Sequence, residues 1–349
     1  MGKPEGLNLI FHSVRPGGGM ERYVLDLIGA LSRLGLALRV VAQRVDWAEA
    51  PVGVDFVVLP PHTRIARIDT LLFERHALRH AHPGWPTLAI SRVAGADIAI
   101  VGGSHLGHLH DRGKRPGWFD RLTIARESAM YAKARAIVAH SGKVAGEIGA
   151  LYGVPADKIH TLYPPVDTAV FSLAARAGRA ATRAALGVAD DEFLLLFPSN
   201  NHALKGADLI LSALAESEPG IRLAVAGKAP LNAPGVINLG FRQDMPALYA
   251  TADAVILASR YEAFGMVGPE AVLCGTPVLF AETVGAVEVL SETACLRFAR
   301  TVEGLRGALI NALQRRVAGT LSIADPAAHI HYPYSVEQHA TAVLALLEA

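Results

Sequence analysis

The chain has 349 residues, 51% apolar and 19% charged, which excludes a single ordinary domain and a disordered chain and points to two domains of about 150 to 180 residues. Its mean hydropathy is +0.31, yet no run of about 18 uncharged apolar residues marks a membrane span. The net charge of +1 hides an asymmetry: residues 1–166 carry 20 Lys+Arg against 14 Asp+Glu, and residues 167–349 carry 13 against 18.

From the N-terminus, "LNLIFHSV" reads as a strand and not as a signal peptide, because its apolar stretch is short and runs into a glycine loop. The helix "MERYVLDLIGALSRLG" follows. Further strands are expected at "ALRVVAQ", "VDFVVLP", "TLAISRV", "DIAIVGG", "AIVAHS" and "IHTLYP", and a helix at "RLTIARESAMYAKA". The second half repeats the rhythm with "FLLLFPS", "RLAVAG", "VINLG", "AVILAS" and "PVLFA". Several runs are continuously apolar, as in parallel strands buried on both faces. Strands that alternate with helices predict doubly wound α/β sheets. Pro164 and Pro165 stop the seventh strand, and the Ala/Arg/Gly-rich stretch after them predicts a linker near residues 165–190. The last segment, "HYPYSVEQHATAVLALLEA", reads as an amphipathic helix with Ser335 as its N-cap. Two cysteines, Cys274 and Cys295, suit a reducing compartment, and Cys274 is expected to be buried.

Ligands of open α/β sheets bind at the carboxyl ends of the strands, so the loops there hold the candidate residues. Gly17, Gly18 and Gly19 sit between the first strand and first helix, where a backbone without Cβ approaches a phosphate or sugar closely. A dinucleotide fold has such a loop too, but the spacing is not G-x-G-x-x-G and no acid ends the second strand, which counts against NAD. Lys205 and Gly206 lie in the loop after the first strand of the second half. A lysine there neutralises a diphosphate or is a solvated loop residue. "YEAFGMVGPEAVLCGTPVL" holds Glu262 and Glu270 with seven residues between them. Pro269 fits the first turn of a helix that Gly275 stops, and the amides from Phe264 to Gly268 can point at an anion. The two acids are a sugar-facing and a ribose-facing carboxylate, or a surface acid and a capping acid.

"GGSHLGHLHDRGK" brings His105, His108 and His110 to another strand end. Their spacing matches no zinc motif, and no Asp-x-Asp occurs. Residues 111–135 carry seven Lys+Arg against three acids, with Trp118, Phe119, Leu122 and Ile124 interleaved. This pattern suits an anionic membrane interface, or else a solvated helix with one core face. The basic first half likewise invites an anionic partner or is a plain unevenness of surface charge. A stripe this short is a weak footprint for nucleic acid.

Together these segments resemble the retaining glycosyltransferases of family 4. The resemblance rests on "PGGGMERYVLDLIGALSRLG", "LYPPVDTAVF", "LKG" with its following helix, and the Glu-seven-Glu segment ending in "GTPV". Within the family the chain is most similar to the bacterial lipopolysaccharide-core glucosyltransferases, through its short length, "PSNNHALKG" and the basic helical segment before the junction. The resemblance implies a GT-B fold, two Rossmann-like domains facing a cleft. Residues 1–166 would bind the acceptor, residues 167–332 the nucleotide sugar, and a C-terminal helix at about 333–349 would pack back on the first domain. It implies glucose transfer from UDP-glucose to a lipopolysaccharide-core or other cell-surface glycan. The lack of Asp-x-Asp, with Lys205 and helix dipoles available to neutralise the leaving group, predicts that no metal is needed, and no further cofactor is expected. The expected place is the cytoplasm, at the inner face of the plasma membrane, with residues 111–135 as a peripheral contact.

By position, Glu262 would hold the donor sugar and His105 would act beside it, with His108 as the second candidate. Gly18, Gly19, Lys205 and the amides of Phe264, Gly265, Met266, Val267 and Gly268 would face the diphosphate. Glu270 would take the ribose, and Phe241 and Arg242 the base. Many members carry an arginine where this chain has Ser199, which places more weight on Lys205. An NAD(P)-dependent oxidoreductase and a non-catalytic nucleotide-sugar-binding protein are the alternatives.

Overall fold

Strands such as "FLLLFP" are apolar at consecutive positions because both of their faces are covered, and that burial organises the whole chain. The structure, a computed structural model, describes residues 4–63, 65–215 and 220–348. It divides into two units, Met1–Pro165 with Pro333–Ala349, and Val166–Tyr332.

The sheet of the first unit is parallel, in the order Asp55–Val58, Ala37–Ala42, Gly6–Ile10, Thr87–Ala89, Ile98–Val101, Ala136–Ala139 and Ile159–Thr161. Period-2 alternation sends Leu7 and Leu9 to a face covered by Tyr23, Val24, Leu27 and Ile28 of the helix Gly19–Arg33. Ile10 and Val41 go to the other face, against Phe73 and Ala77. The C-terminal helix Val336–Ala345 belongs to this unit. Ser335 caps it, accepting from the Gln338 amide at 3.4 Å, and Val336, Ala340, Val343 and Leu347 join the core of the first helix.

The second unit has six parallel strands in the order Ile237–Gly240, Ile221–Ala226, Phe193–Pro198, Ala254–Leu257, Val278–Ala281 and Cys295–Phe298. The last of these departs from the sequence reading, which stops at "PVLFA". It is an edge strand with exposed Arg297 in its middle, and so lacks the continuous apolar run of the others. The expected linker is also corrected. Residues 165–190 contain a 3-10 segment, Leu173–Gly178, and a helix, Arg179–Ala185. The arginines that made this stretch look solvated are its anchors: Arg183 is 4% exposed and pairs with Asp253 at 3.1 Å.

In both sheets the strand order reverses between the first strand and the fourth, and the loops at the carboxyl ends of such a pair are where open α/β sheets bind their ligands. Cys274 and Cys295 are free and buried. Among the described residues no helix is long and apolar enough to cross a membrane.

Candidate active site

At the switch point of the second sheet, Phe193–Pro198 leads into a buried Ser199 and then the one-turn helix His202–Lys205. Asn201 caps this turn, its Oδ1 accepting from the Leu204 amide at 3.1 Å. Gly206 ends the turn at φ +81°, and a Cβ on it would stand 2.1 Å from the Ala258 carbonyl oxygen. Only glycine satisfies both demands. The turn is thereby pressed against the end of Ala254–Leu257, and Lys205 comes onto Glu262. Lys205 Nζ and Glu262 Oε2 form an ion pair, each side chain about one-fifth exposed. Glu262 is held from its backbone as well, its carbonyl accepting from the Gly285 amide at 3.1 Å. Ser199, where the family resemblance leads one to look for an arginine, instead shares a 2.9 Å hydrogen bond with His202 Nδ1.

Past Glu262 the chain folds tightly. Gly265 has φ +96°, and a Cβ there would lie 3.0 Å from Val284 and 3.3 Å from Glu262 Cγ. Phe264 is buried, its carbonyl accepting from Ala286 at 2.7 Å. Met266 caps the helix Val267–Leu273. The expectation of anion-facing amides through Gly268 needs correction, because the Gly268 amide donates to the Gly265 carbonyl at 2.9 Å. Glycine is needed there for packing: a Cβ would lie 2.9 Å from Phe280. Pro269 has no N–H, so the amides without an intrahelical acceptor are those ahead of Gly268.

Glu270 follows in the first turn, 7% exposed. Tyr249 donates its phenol to Glu270 Oε2 at 2.9 Å, and the Tyr249 carbonyl is held by Thr276 Oγ1 at 2.7 Å. Sequence reading missed Tyr249, an ordinary helical aromatic until the fold brings it across. Phe241 and Arg242 follow the strand Ile237–Gly240. The Phe241 ring is half exposed with Lys228 Nζ 5.6 Å from its centroid. Arg242 is committed to Asp244, with Nε to Oδ1 at 2.7 Å. That hydrogen-bonded pair holds the Arg242 guanidinium above its usual range and the Asp244 carboxyl below its own.

In the first unit, Gly18 caps the helix Gly19–Arg33, its carbonyl accepting from Arg22 at 3.0 Å. Glu21 in the first turn shares that helix end. A Cβ on Gly17 would be 3.1 Å from the Glu21 side chain, and one on Gly18 3.2 Å from Glu21 Oε2. An anion approaching Gly18 and Gly19 therefore also meets a carboxylate, which the sequence reading did not weigh.

His105 opens the helix His105–Asp111, capped by Ser104. Its Nε2 lies 2.8 Å from Asp120 Oδ1, and its amide donates to Glu127 Oε2 at 3.0 Å. Glu127 is 2% exposed and is held by Arg92 Nε at 2.8 Å and by the Tyr152 hydroxyl. Behind it Arg126 pairs with Glu74 at 3.0 Å. Burial raises the Glu74 carboxyl, opposed by Arg126 and Arg92. Asp120 and Glu127 thus fix both ends of His105, and neither carries a local motif. His108 instead contacts Arg112 at 3.1 Å; burial first, and Arg112 second, lower its pKa. His110 points to solvent. Among the described residues no three His, Cys, Asp or Glu side chains are grouped to hold a metal ion.

Comparison with known proteins gives this geometry a family. Residues 17–170 match glycosyltransferase family 4, and residues 192–315 match the glycosyl transferases of group 1. A probable transglycosylase of Burkholderia thailandensis is 38% identical over 351 residues, 97% of this chain and 96% of its own. A D-inositol 3-phosphate glycosyltransferase of Mycobacterium bovis is 33% identical over 328 residues, 78% of this chain and 65% of its own. Among solved structures, WaaG, a glycosyltransferase involved in lipopolysaccharide biosynthesis, shares the fold with a TM-score of 0.79 at 18% identity, covering 97% of this chain and 95% of its own. Anabaena HepE, in complex with UDP and glucose, does so with a TM-score of 0.74 at 19% identity, covering 99% of this chain and 100% of its own. With a family match in each unit and a relative aligned along nearly its whole length, the chain belongs to the glycosyltransferases of family 4 and has the GT-B fold.

Proposed function

We propose that the protein transfers glucose from UDP-glucose to a lipopolysaccharide-core or similar cell-surface glycan, retains the α-linkage and needs no metal ion. The observation that carries this reading is the Lys205–Glu262 pair at the switch point of the second sheet, followed in the chain by the Tyr249-bound Glu270 in the first turn of the next helix. A cation, a partly exposed carboxylate and a second, oriented carboxylate match the three parts of a nucleotide sugar: diphosphate, sugar and ribose. The UDP and glucose bound to HepE and the lipopolysaccharide role of WaaG support the choice of donor and acceptor.

In this reading Lys205 and the amides ahead of Gly268 stabilise the departing diphosphate. Glu262 orients the sugar and offsets the positive charge that grows on it. A double displacement needs a second carboxylate beside the reacting carbon. Glu270 is assigned to the ribose, so the leaving phosphate itself accepts the proton of the incoming hydroxyl. His105, held by Asp120, is the candidate catalytic group of the first unit, and Phe241 packs against the base. The acceptor is a membrane glycolipid met at the inner face of the plasma membrane through residues 111–135.

A thermal-shift panel of UDP-glucose, UDP-galactose, GDP-mannose, ADP-glucose and NAD tests the reading, followed by NMR of the product. UDP-glucose is expected to stabilise most and to give an α-linked product on turnover. Stabilisation by NAD alone would restore the oxidoreductase alternative. Donor binding without turnover on any glycan acceptor would favour a binding protein.

A further inference from the structure

At the amino ends of the second sheet, opposite the Lys205–Glu262 edge, lies a cavity of about 160 Å³ whose lining includes Arg176, Arg179, Arg316, Asp253 and Ser322. Asp253 precedes the strand Ala254–Leu257 and Glu262 follows it, so the two places occupy opposite ends of one strand. The arginines are held mainly by carbonyls. Arg179 Nη1 reaches those of Ala250, Thr251 and Ala252 at 2.7 to 2.8 Å, and Arg176 Nη1 reaches that of Gly275 at 3.0 Å. Arg316 donates to the carbonyls of Asp190 and Asp191, whose side chains belong to exposed residues. Carbonyls satisfy N–H groups but bring no countercharge.

The carboxylate in the cavity lining, Asp253, is already shared by three arginines, Arg179 Nη2 at 2.6 Å, buried Arg183 at 3.1 Å and, more distantly, Arg316 Nε at 3.9 Å. The helices Met245–Thr251 and Val267–Leu273 turn their carboxyl ends here, which adds at most about half a negative charge each. Arg183 lies behind the lining and also interacts with the Glu192 carboxylate, so the three lining guanidiniums face one carboxylate and two helix ends, which leaves roughly one positive charge uncompensated. Burial chiefly, with Arg176 and Arg183 adding to it and Asp253 opposing, pulls Arg179 below the usual guanidinium range.

We infer that this cavity is an anion site for a phosphate group, separate from the donor residues. Arg176 and Arg179 each use part of a five-donor fork, and a tetrahedral dianion accepts from several such forks at once. The volume suits one phosphate and not a nucleotide. The positive charge of the cavity and its hydroxyl, Ser322, fit that ligand.

The test is titration with sodium phosphate at constant ionic strength, by calorimetry and thermal shift, with chloride as the control. Saturable stabilisation is expected in wild type and is expected to survive in Lys205→Ala. Arg316→Gln is expected to weaken it about tenfold or more, the effect of losing one charge-assisted contact, and Arg176→Gln with Arg316→Gln to abolish it. Glycerol 3-phosphate, run alongside, separates a free phosphate ion from an ester head group, and binding of either supports the site. A response no larger than that of chloride, or one lost in Lys205→Ala and kept in Arg316→Gln, overturns the proposal. A crystal soaked in tungstate decides it without any variant, since density in the cavity is required.

Discussion

In the proposed reading Glu262 and the diphosphate compete for Lys205, whose ammonium pairs with the carboxylate. The two substitutions therefore separate. Glu262→Ala is expected to leave UDP-glucose affinity unchanged or tighter, since Lys205 loses a rival anion, while kcat falls about a hundredfold or more, the scale of losing an electrostatic partner of the transition state. Lys205→Ala is expected to weaken donor binding about tenfold or more through the lost charge-assisted contact. Calorimetry with UDP-glucose beside single-turnover rates checks both. Equal loss of donor affinity in the two variants would move Glu262 from the sugar to the diphosphate. The spacing of Glu262 and Glu270 was readable because a strand end, a turn and a helix start follow one another in sequence. Tyr249 and Asp120 were not readable. Each is an ordinary helical residue whose meaning comes from a partner, Glu270 or His105, carried by another element.

The C-terminal helix shows what an element adds. Its sequence declares amphipathic periodicity and a serine cap, but not which surface it covers. The surface is the first helix, where the Tyr23 hydroxyl meets His339 Nε2 at 2.9 Å and the Tyr23 ring lies 4.5 Å from that of His140. His140 and His339 are 2% and 3% exposed, and His140 Nε2 has no hydrogen-bond partner among the described residues. Burial, with His339 nearby, pulls His140 down to about 3. Burial, opposed by the Tyr163 backbone, pulls His339 down to about 4. Both are neutral when folded, whereas in the unfolded chain they take up protons below about 6.5. The folded state is therefore at full strength above that pH and loses stability as pH falls from 6.5 towards 4. The loss is roughly 2 kcal/mol per histidine at pH 5. Calorimetric Tm measured from pH 7.5 to 5 checks this. His339→Gln, which keeps a hydrogen-bonding group and cannot titrate, is expected to halve the acid sensitivity, and an unchanged pH dependence would place the titrating groups elsewhere. Two elements were misread for different reasons. The stretch 165–190 carries arginines, and a sequence does not say whether a guanidinium is solvated or clamped on carbonyls, whereas the strand Cys295–Phe298 is an edge strand whose exposed Arg297 interrupts the apolar run.

For the whole molecule, the alternation of strands and helices made two doubly wound sheets legible, since continuous apolar runs need cover on both faces. Strand order was not legible, because pairing joins segments far apart in the chain, and the order is what puts the switch point beside Lys205 and Glu262. Charge is the remaining whole-chain property. The excess of base in residues 1–166 includes Arg112, Lys114, Arg115 and Arg121, all exposed. Beside them Trp118 is 73% exposed and Leu122 38%, while Glu127, Met130 and Tyr131 turn the far part of the helix Trp118–Lys133 inward. The basic and aromatic end is thus separate from the core-facing end, as a surface contact requires. Each basic side chain near an anionic bilayer contributes about 1 kcal/mol, screened within a Debye length of roughly 10 Å at 0.1 M salt. The protein is expected to co-sediment with vesicles containing phosphatidylglycerol at low salt and to be released at 0.5 M. Trp118→Ala combined with Arg121→Glu should weaken that binding about tenfold or more and leave Tm unchanged, because neither side chain supports the core. Binding that ignores salt, or that survives the double substitution, would remove residues 111–135 as the membrane contact.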